Sequence, residues 1–211
     1  MDFATFSHWP KVAIRIADVA ITVALVAFTA PLLAGLALMV KLNDGGPVLY
    51  RHERIGLGGR RFKCLKFRTM AVDSDQRLRD LLTNDPKARA EWLRDQKLRR
   101  DPRVTRIGAL LRKSSLDELP QLWNVLIGDM SLVGPRPIVQ DEVARYGRYF
   151  EAYCSIRPGI TGIWQVGGRN DLSYRRRVAM DVIYARNRCL TLYVRVLLQT
   201  VPAVLMRRGA H

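Results

Sequence analysis

The sequence predicts a mostly helical α+β protein whose N-terminal helix enters a membrane. Three observations support this fold class: an uncharged apolar run near the N-terminus, two strand-like segments joined by a glycine-rich connection, and helix-forming segments over the remainder. The chain has 211 residues, about the length of one domain. Without an internal repeat or a low-complexity linker, it is predicted to be a single domain over residues 1–211.

The apolar run extends from Val19 to Val40 and reads VAITVALVAFTAPLLAGLALMV, without a charged residue. At about 1.5 Å per residue, a helix over this run is roughly 33 Å long, enough for a hydrocarbon core of about 30 Å. A buried helix of a soluble domain is the alternative. The length and the lack of charge favour the membrane.

Basic residues flank the apolar run on both sides. Lys11 and Arg15 precede it, and Lys41 follows it. Because positive charge favours the cytoplasmic side, both ends are drawn to that side. Pro31 lies inside the run, where it removes a backbone donor and favours a kink. We therefore predict a re-entrant helix over 11–40 that is broken at the proline, with a simple span as the alternative.

Residues 41–211 change character and are predicted to form the part outside the membrane core. Two strands around the connection Gly56–Gly59 form a hairpin, and Asn84-Asp85-Pro86 separates two charged helices. The expected strands are Val48–Ile55 and Arg61–Phe67, and the expected helical regions are Asp73–Arg100, Arg103–Val125, Tyr174–Arg188 and Leu190–Met206. The last helix is apolar enough to lie in the headgroup layer or to be a core helix, and both readings stay open.

Charge and composition restrict the partners and the metals. The net charge is +16 and the pI is near 10.6, so the partners should be anionic: phosphates, nucleic acid or an acidic membrane surface. Three widely spaced cysteines and three scattered histidines give no ligand cluster. A disulfide framework and a zinc or iron site are therefore not expected.

One short acidic stretch, Asp117-Glu118, follows two serines. Ser115 and Glu118 have the spacing of a capping box that opens a helix, and this structural role could be the whole purpose of the stretch. The stretch also suits chemistry, because a helix dipole and the nearby Arg112 and Lys113 would lower the pKa of Asp117. An ionised Asp can attack phosphorus, and Glu118 could hold Mg²⁺ together with substrate phosphates.

Several basic residues stand in rigid-looking sequence: Arg54, Lys66, Arg68, Arg136 between two prolines, and Arg169 after two glycines. The planar guanidinium matches the oxygens of a phosphate. Most basic residues of a strongly cationic protein are solvated surface, so spacing alone does not separate ligands from surface.

Long motifs in order make the sequence recognisable. They are KFRTM from Lys66, RKSSLDELPQLWNV from Arg112, GDMSLVGPRP from Gly128, RPGITGIWQV from Arg157, and GGRN from Gly167. Together they resemble the bacterial sugar transferase family, the monotopic phosphoglycosyl transferases that start exopolysaccharide, O-antigen and glycan assembly. The resemblance runs from about Lys11 to Arg208. It is to the short, exopolysaccharide-initiating form, which lacks additional N-terminal membrane helices.

The resemblance implies roles for individual residues. Asp117 matches the nucleophile of the family, and Glu118 matches its second catalytic residue and Mg²⁺ ligand. Residues 11–40 match its re-entrant helix, and 41–211 match its cytoplasmic catalytic part, surrounded by interfacial amphipathic helices. Substrate binding is thereby assigned to six cations: Arg54, Lys66, Arg68, Arg112, Arg136 and Arg169. One departure is Ala30, where the family often has serine before the proline; the Thr29 hydroxyl is the expected substitute.

The resemblance also implies a reaction. A hexose-1-phosphate passes from a UDP-sugar, with UDP-glucose or UDP-galactose favoured, to undecaprenyl phosphate. UMP is released, and a covalent aspartyl-phosphosugar forms on the way. The expected cofactor is Mg²⁺, and the expected location is the bacterial inner membrane with the active site on the cytoplasmic face. No ATP site is expected, because no G-x-x-x-x-G-K-[ST] loop is present.

Alternatives from other classes remain. A catalytically silent membrane scaffold of a polysaccharide assembly system would keep the apolar helix but would not need Asp117. A basic nucleic-acid-binding protein explains the charge but not the apolar run, so no nucleic acid is expected. Direct transfer without a covalent intermediate could use the same site. The expected partners are the UDP-sugar, undecaprenyl phosphate and membrane lipids, with monomer and homodimer both open.

Overall fold

The computed structural model describes residues 9–95, 98, 100–168 and 172–205. Its strands are β1 (Leu49–Ile55), β2 (Arg61–Phe67), β3 (Ser131–Val133) and β4 (Gly159–Thr161). Its helices are α1 (Trp9–Asp44), α2 (Ser74–Asn84), α3 (Pro86–Asp95), α4 (Arg106–Ser114), α5 (Gln121–Ile127), α6 (Val143–Tyr146), α7 (Phe150–Cys154), α8 (Ile163–Gly167), α9 (Tyr174–Asn187) and α10 (Leu190–Leu205). The mostly helical α+β class is confirmed.

The predicted hairpin and the two closing helices are confirmed within a residue or two, and the regions Asp73–Arg100 and Arg103–Val125 each contain two helices with less exact bounds. Strands β1 and β2 pair in antiparallel register from Leu49 opposite Phe67 to Ile55 opposite Arg61. The break between α2 and α3 has a local cause. The carboxylate of Asp85 accepts hydrogen bonds from the backbone N–H groups of Lys87 and Ala88, so it caps the first turn of α3.

The structure of α1 differs from the predicted break at Pro31. It is one continuous helix with Pro31 inside it, so the predicted break does not interrupt the helix. Proline removes the N–H that the Ala27 carbonyl would accept. The hydroxyl of Thr29 donates to the carbonyl of Leu25 at 2.6 Å, one turn back, and therefore does not replace that donor. Its bond is the type that bends a helix.

The two ends of α1 pack against the rest of the protein. Ile14 lies in a buried cluster with Val125 of α5 and Tyr193 of α10. Leu36 and Val40 lie in another cluster with residues of β2 and α4. The middle is exposed, with Phe28 at 84%. Helix α1 is long and apolar enough to cross a membrane, a test that a soluble core helix can also pass; here little of the helix is buried.

A buried carboxylate fixes the N-terminal half of α1. Oδ1 of Asp18 accepts hydrogen bonds from the Ser131 hydroxyl, the Leu132 backbone N–H and the Tyr193 hydroxyl, at 2.8–3.0 Å. Buried polar groups need such partners. One side chain of α1 therefore joins this helix to the short parallel pair β3–β4 and to the closing helix α10.

Helix α10 combines the two readings left open by the sequence. Tyr193 and Val196 are fully buried, so one face belongs to the core. Val194, Leu198 and Val201 are exposed at 43–66%, so the opposite face is apolar and uncovered within the described residues. Such a face suits the membrane interface.

Candidate active site

The candidate nucleophile lies in a short turn between two helices. Helix α4 ends at Ser114, Ser115 adopts a left-handed conformation with φ 57°, and Leu116–Glu118 form a single 3₁₀ turn before α5. The Ser115 side chain makes no capping hydrogen bond, so the predicted capping box is wrong. Ser115 is instead the C-cap of α4. In its left-handed conformation, its backbone N–H donates to carbonyls of the last turn of α4.

The environment of Asp117 also differs from the expectation. The residue is only 9% exposed, and burial raises the pKa of its carboxyl group to about 6, with the charge of Glu118 adding to the shift. Lys66 and Arg112 act in the opposite direction. The expected lowering is therefore wrong, because a single 3₁₀ turn has almost no dipole and desolvation outweighs the two cations.

Glu118 forms an ion pair with Lys66. Its Oε1 lies 2.5 Å from the Lys66 Nζ, and the two side chains are 39% and 25% exposed. The pair is thus reachable from solvent and lies beside the buried Asp117. Both members were predicted site residues, and the structure brings them together.

Asn124 holds strand β2 where Lys66 can reach Glu118. Its buried side chain accepts from the Leu65 N–H and donates to the Lys63 carbonyl, both at 2.9 Å. These bonds continue the hydrogen bonding of β2 onto α5, so they fix the strand against the helix that follows Asp117. No pattern in the sequence pointed to this role of Asn124.

Arg112 approaches the carboxylates from the end of α4. Its Nε donates to the hydroxyl of the buried Thr69 at 2.9 Å, while the residue itself is exposed. One nitrogen is thereby anchored, and no hydrogen bond of the remaining N–H groups is seen among the described residues. We call Asp117, Glu118, Lys66 and Arg112 the carboxylate cluster.

Two further predicted cations lie together at one edge. Arg54 donates to the Pro137 carbonyl at 3.1 Å and lies 3.8 Å from Glu142. Arg136 lies 3.8 Å from the other oxygen of the same Glu142. Burial, followed by the charge of Arg136, lowers the pKa of Arg54. One carboxylate between two guanidinium groups leaves the pair net positive, which suits a phosphate.

Sequence reasoning missed His52 and Cys64, which share a hairpin face with Arg54 and Lys66. Nδ1 of His52 lies 3.0 Å from an Arg54 nitrogen, which can only donate, so the imidazole proton is on Nε2. Burial and the charges of Arg54, Lys66 and Arg136 lower the pKa of His52. The signal was the two-residue alternation of the strands, since His52 pairs with Cys64.

One predicted residue, Arg68, is not brought to this site. Arg68 binds Asp44 at the end of α1 and donates to the Pro47 carbonyl at 2.6 Å, with 9% of its side chain exposed. We call Arg68, Asp44 and Pro47 the α1 clamp. Substrate binding by Arg68 stays a prediction that these contacts do not favour. Arg169 lies outside the described residues.

The donor set is compatible with Mg²⁺. Among the described residues, no group of three or more His, Cys, Asp or Glu side chains could hold a metal alone. Mg²⁺ commonly takes one or two carboxylates and completes its shell with substrate phosphates and water. The adjacent carboxylates Asp117 and Glu118 fit that pattern, and Glu118 is the accessible one.

This arrangement can carry out group transfer on an anionic substrate. A buried carboxylate with a pKa near 6 is ionised at neutral pH and lies beside cations that can bind phosphate. The same body carries a long, exposed apolar helix. The fold and the site are therefore compatible with a phosphoryl transferase that works at a membrane.

The family model described as "Bacterial sugar transferase" matches residues 9–207, and the chain belongs to this family. It is 48% identical over 204 residues to a UDP-galactose-lipid carrier transferase of Erwinia amylovora, covering 97% of this chain and 43% of that protein. It is 49% identical over 197 residues to the undecaprenyl-phosphate galactose phosphotransferase of Salmonella typhimurium, covering 93% and 41%. The chain thus spans about two fifths of these relatives.

A shorter relative is covered more fully. The exopolysaccharide production protein ExoY of Rhizobium meliloti is 49% identical over 192 residues, which cover 91% of this chain and 84% of that protein. The predicted family is therefore confirmed, and the similarity extends to a relative of nearly the same length.

Proposed function

We propose that this protein transfers a hexose-1-phosphate from a UDP-sugar to undecaprenyl phosphate and releases UMP, as the first membrane step of exopolysaccharide or glycan assembly. The observation that carries the proposal is the buried carboxylate of Asp117 beside the Lys66–Glu118 ion pair. The names of the relatives support the substrate class, because two of them concern galactose and a lipid carrier or undecaprenyl phosphate. UDP-galactose and UDP-glucose are the proposed donors.

In the first step, a carboxylate oxygen of Asp117 attacks the β-phosphorus of the UDP-sugar. The bond from this phosphorus to the bridging oxygen breaks, and UMP leaves with that oxygen. The product is an acyl phosphate that joins Asp117 to the sugar phosphate. Lys66 and Arg112, whose charges act on Asp117, neutralise charge on the phosphoryl oxygens.

In the second step, a phosphate oxygen of undecaprenyl phosphate attacks the same phosphorus. The bond to Asp117 breaks, the carboxylate is regenerated, and the lipid carries a diphosphate-linked sugar. One phosphoanhydride replaces another, so no external energy source is required. Arg54 and Arg136, which share Glu142, are the proposed ligands of the nucleotide phosphates.

Mg²⁺ is the proposed cofactor, and Glu118 is its proposed protein ligand. When bound, the ion would neutralise charge on the phosphate oxygens of the donor. Lys66 holds the Glu118 side chain at the site before the donor arrives. The chain's own contribution is thus to present one nucleophilic carboxylate and one metal-binding carboxylate side by side.

The packing of α1 supports a re-entrant membrane helix. Ile14 near its start and Val40 near its end both lie in clusters of the same globular body. A helix that crossed the bilayer would leave one end on the far side, out of reach of that body. We therefore propose that both ends lie on the cytoplasmic face, with the exposed middle around Phe28 in the lipid.

The test is UMP release from a panel of UDP-sugars in detergent with Mg²⁺ and undecaprenyl phosphate. We expect release with a UDP-hexose, loss of at least about a thousandfold in Asp117→Asn, and little change in the matched control Asp80→Asn. Asp80 is a carboxylate on α2 that bonds only Gln76 among the described contacts. Release that persists in Asp117→Asn would contradict the assignment of the nucleophile.

A second measurement tests the covalent intermediate. Labelled UMP should exchange into the UDP-sugar in the absence of lipid, because the first step is reversible and complete without the acceptor. Asp117→Asn should abolish this exchange. Exchange that requires the lipid would favour direct transfer, and a protein that fails both assays with every donor would favour the scaffold.

A further inference from the structure

Arginines gather at the C-terminal end of α5, away from the carboxylate cluster. The Arg15 guanidinium donates to the carbonyls of Val125 and Leu126 at 2.6 and 2.9 Å. Arg157 donates through Nε to the carbonyl of Gly128 at 2.7 Å. Both side chains therefore meet carbonyls at the C-terminal end of α5, where positive charge is favourable.

A third arginine, Arg188, caps the end of α9 near the same place. Burial, followed by the charges of Arg15 and Arg188, lowers the pKa of Arg157, so both of these cations act on Arg157. The Nε of Arg188 is buried and has no hydrogen-bond partner among the described residues. One donor of the Arg188 guanidinium group is thus left for a ligand.

The nearby carboxylates do not neutralise this arginine group. Asp18 uses one oxygen to accept three hydrogen bonds from Ser131, Leu132 and Tyr193. Asp129 accepts from the Asn124 amide at 3.2 Å. Three arginines against one or two carboxylates leave a net positive charge, and this charge attracts an anion.

Exposed apolar side chains lie on the two helices that carry or contact Arg15. Val12 and Ile16 of α1 flank Arg15 and are 54% and 64% exposed. Trp123 and Ile127 lie one turn apart on α5 and are 59% and 56% exposed. Apolar surface of this kind next to cations is typical of contact with a lipid headgroup and its acyl chains.

We propose that Arg15, Arg157 and Arg188 bind the phosphate of an acidic phospholipid headgroup, with the apolar residues beside the acyl chains. Guanidinium groups match phosphate oxygens in geometry and charge. The site is separate from the carboxylate cluster, because Asp117 precedes the other end of α5. This inference rests on the proposed membrane location but not on the transfer reaction.

The experiment is tryptophan quenching by brominated lipids in reconstituted bilayers. Brominated phosphatidylglycerol is compared with brominated phosphatidylcholine for the wild type, Arg188→Gln and the matched control Arg186→Gln. Trp123 is the reporter at the site, and a Trp123→Phe variant identifies its signal. Arg186 loses the same charge but is exposed and lies near Tyr149, on another part of α9.

The wild type should prefer phosphatidylglycerol, and Arg188→Gln should lower that preference about fivefold, the effect of one arginine at an acidic surface. Arg186→Gln should change it less than about twofold. Should Arg188→Gln fail to fold, Arg188→Lys should show an intermediate loss, because the charge remains and the planar fork does not. A preference lost in this way supports the site whether or not UMP is released in the enzymatic assay.

Either of two kinds of result would overturn the proposal. The first is a quenching result without a specific site: equal quenching by the two lipids in the wild type would show no preference, and an equal loss in both glutamine variants would reduce the preference to net charge. The second is a raised KM for undecaprenyl phosphate in Arg188→Gln, measured in detergent without acidic phospholipid, which would assign the arginines to the substrate instead.

Discussion

Lys66 and Arg68 lie two residues apart, yet they belong to different regions of the molecule. Lys66 joins the carboxylate cluster and is a quarter exposed, whereas Arg68 joins the α1 clamp, where its side chain is 9% exposed and bound to Asp44. Both residues stand in one motif and carry the same charge. The comparison shows that charge in a motif does not define a ligand; the position of the partner carboxylate does.

Lys66 and Arg68 differ because their partner carboxylates lie in different places. The Glu118 partner of Lys66 lies in a short turn on the accessible side. The Asp44 partner of Arg68 is the last residue of α1, where a negative charge is unfavourable to the helix dipole and needs a cation. Arg68 therefore holds the end of α1 against the hairpin, and Lys66 holds the Glu118 side chain at the carboxylate cluster.

The sharpest test of this comparison substitutes the two cations in parallel. Lys66→Met should lower kcat/KM for the UDP-sugar about 100-fold, because a preorganised charge at the reacting phosphate is lost. Arg68→Met should change kcat/KM less than about threefold and lower the free energy of unfolding by about 1 kcal/mol, the upper range for a partly exposed pair. Steady-state kinetics and denaturation of both variants measure this. The comparison breaks if Arg68→Met loses activity without losing stability.

The pH profile tests the carboxylate cluster. The carboxyl group of Asp117 has a pKa raised to about 6, so the reactive ionised form is lost as the pH falls through that value. The logarithm of kcat/KM should be level above pH 7 and fall about tenfold per pH unit below 6. Because Lys66 lowers this pKa, Lys66→Met should move the acid limb to higher pH. An acid limb near 4 in the wild type would show that Asp117 is not buried as described.

Stability should respond in the opposite direction to activity. A carboxyl group whose pKa is raised on folding stabilises the folded state most below its unfolded pKa near 4, and this contribution is lost as the pH rises through about 6. At pH 8, the free energy of unfolding of Asp117→Asn should therefore exceed that of the wild type by about 1–2 kcal/mol, so the variant should unfold at a higher denaturant concentration. Urea unfolding in detergent at pH 8 and pH 4.5 measures this, with the gain absent at pH 4.5.

The smallest expected effect concerns the turn before the nucleophile. Ser115 is the non-glycine residue with positive φ among the described positions. Ser115→Gly should stabilise the protein by about 0.5–1 kcal/mol, because glycine adopts this φ without strain. Ser115→Ala should be nearly neutral in thermal unfolding. A loss of about 1 kcal/mol in Ser115→Ala would restore the capping role that the structure denies.

The sequence was sufficient for features that depend on local chemistry. The hairpin, the break before Pro86 and the closing helices follow from turn residues and periodicity. The pairing of Glu118 with Lys66 connects residues predicted by motif. The features it did not predict depend on long-range packing: the burial that raises the pKa of Asp117, the role of Asn124, and the partner of Arg68.

Strand alternation could have predicted one of the missed residues. His52 lies two residues before Arg54, and therefore on the same face, without further information. Glu142 could not be found in this way, because it reaches Arg54 and Arg136 only after the 3₁₀ turn Gln140–Glu142 folds back. Glu142 is far from Arg54 in sequence, so no local pattern predicted that the two side chains meet.

Helix α1 packs against the rest of the protein near both of its ends, and both contacts use the same face of the helix. Ile14, Asp18, Thr22, Leu36 and Val40 are all buried, and at about 100° per residue these positions fall within an arc of about 80°. One added residue near Pro31 would turn the second contact by about 100° away from the body, whereas seven added residues would restore its direction to within about 20°. Changes in the length of α1 between its two contacts are therefore restricted to nearly whole numbers of helical turns.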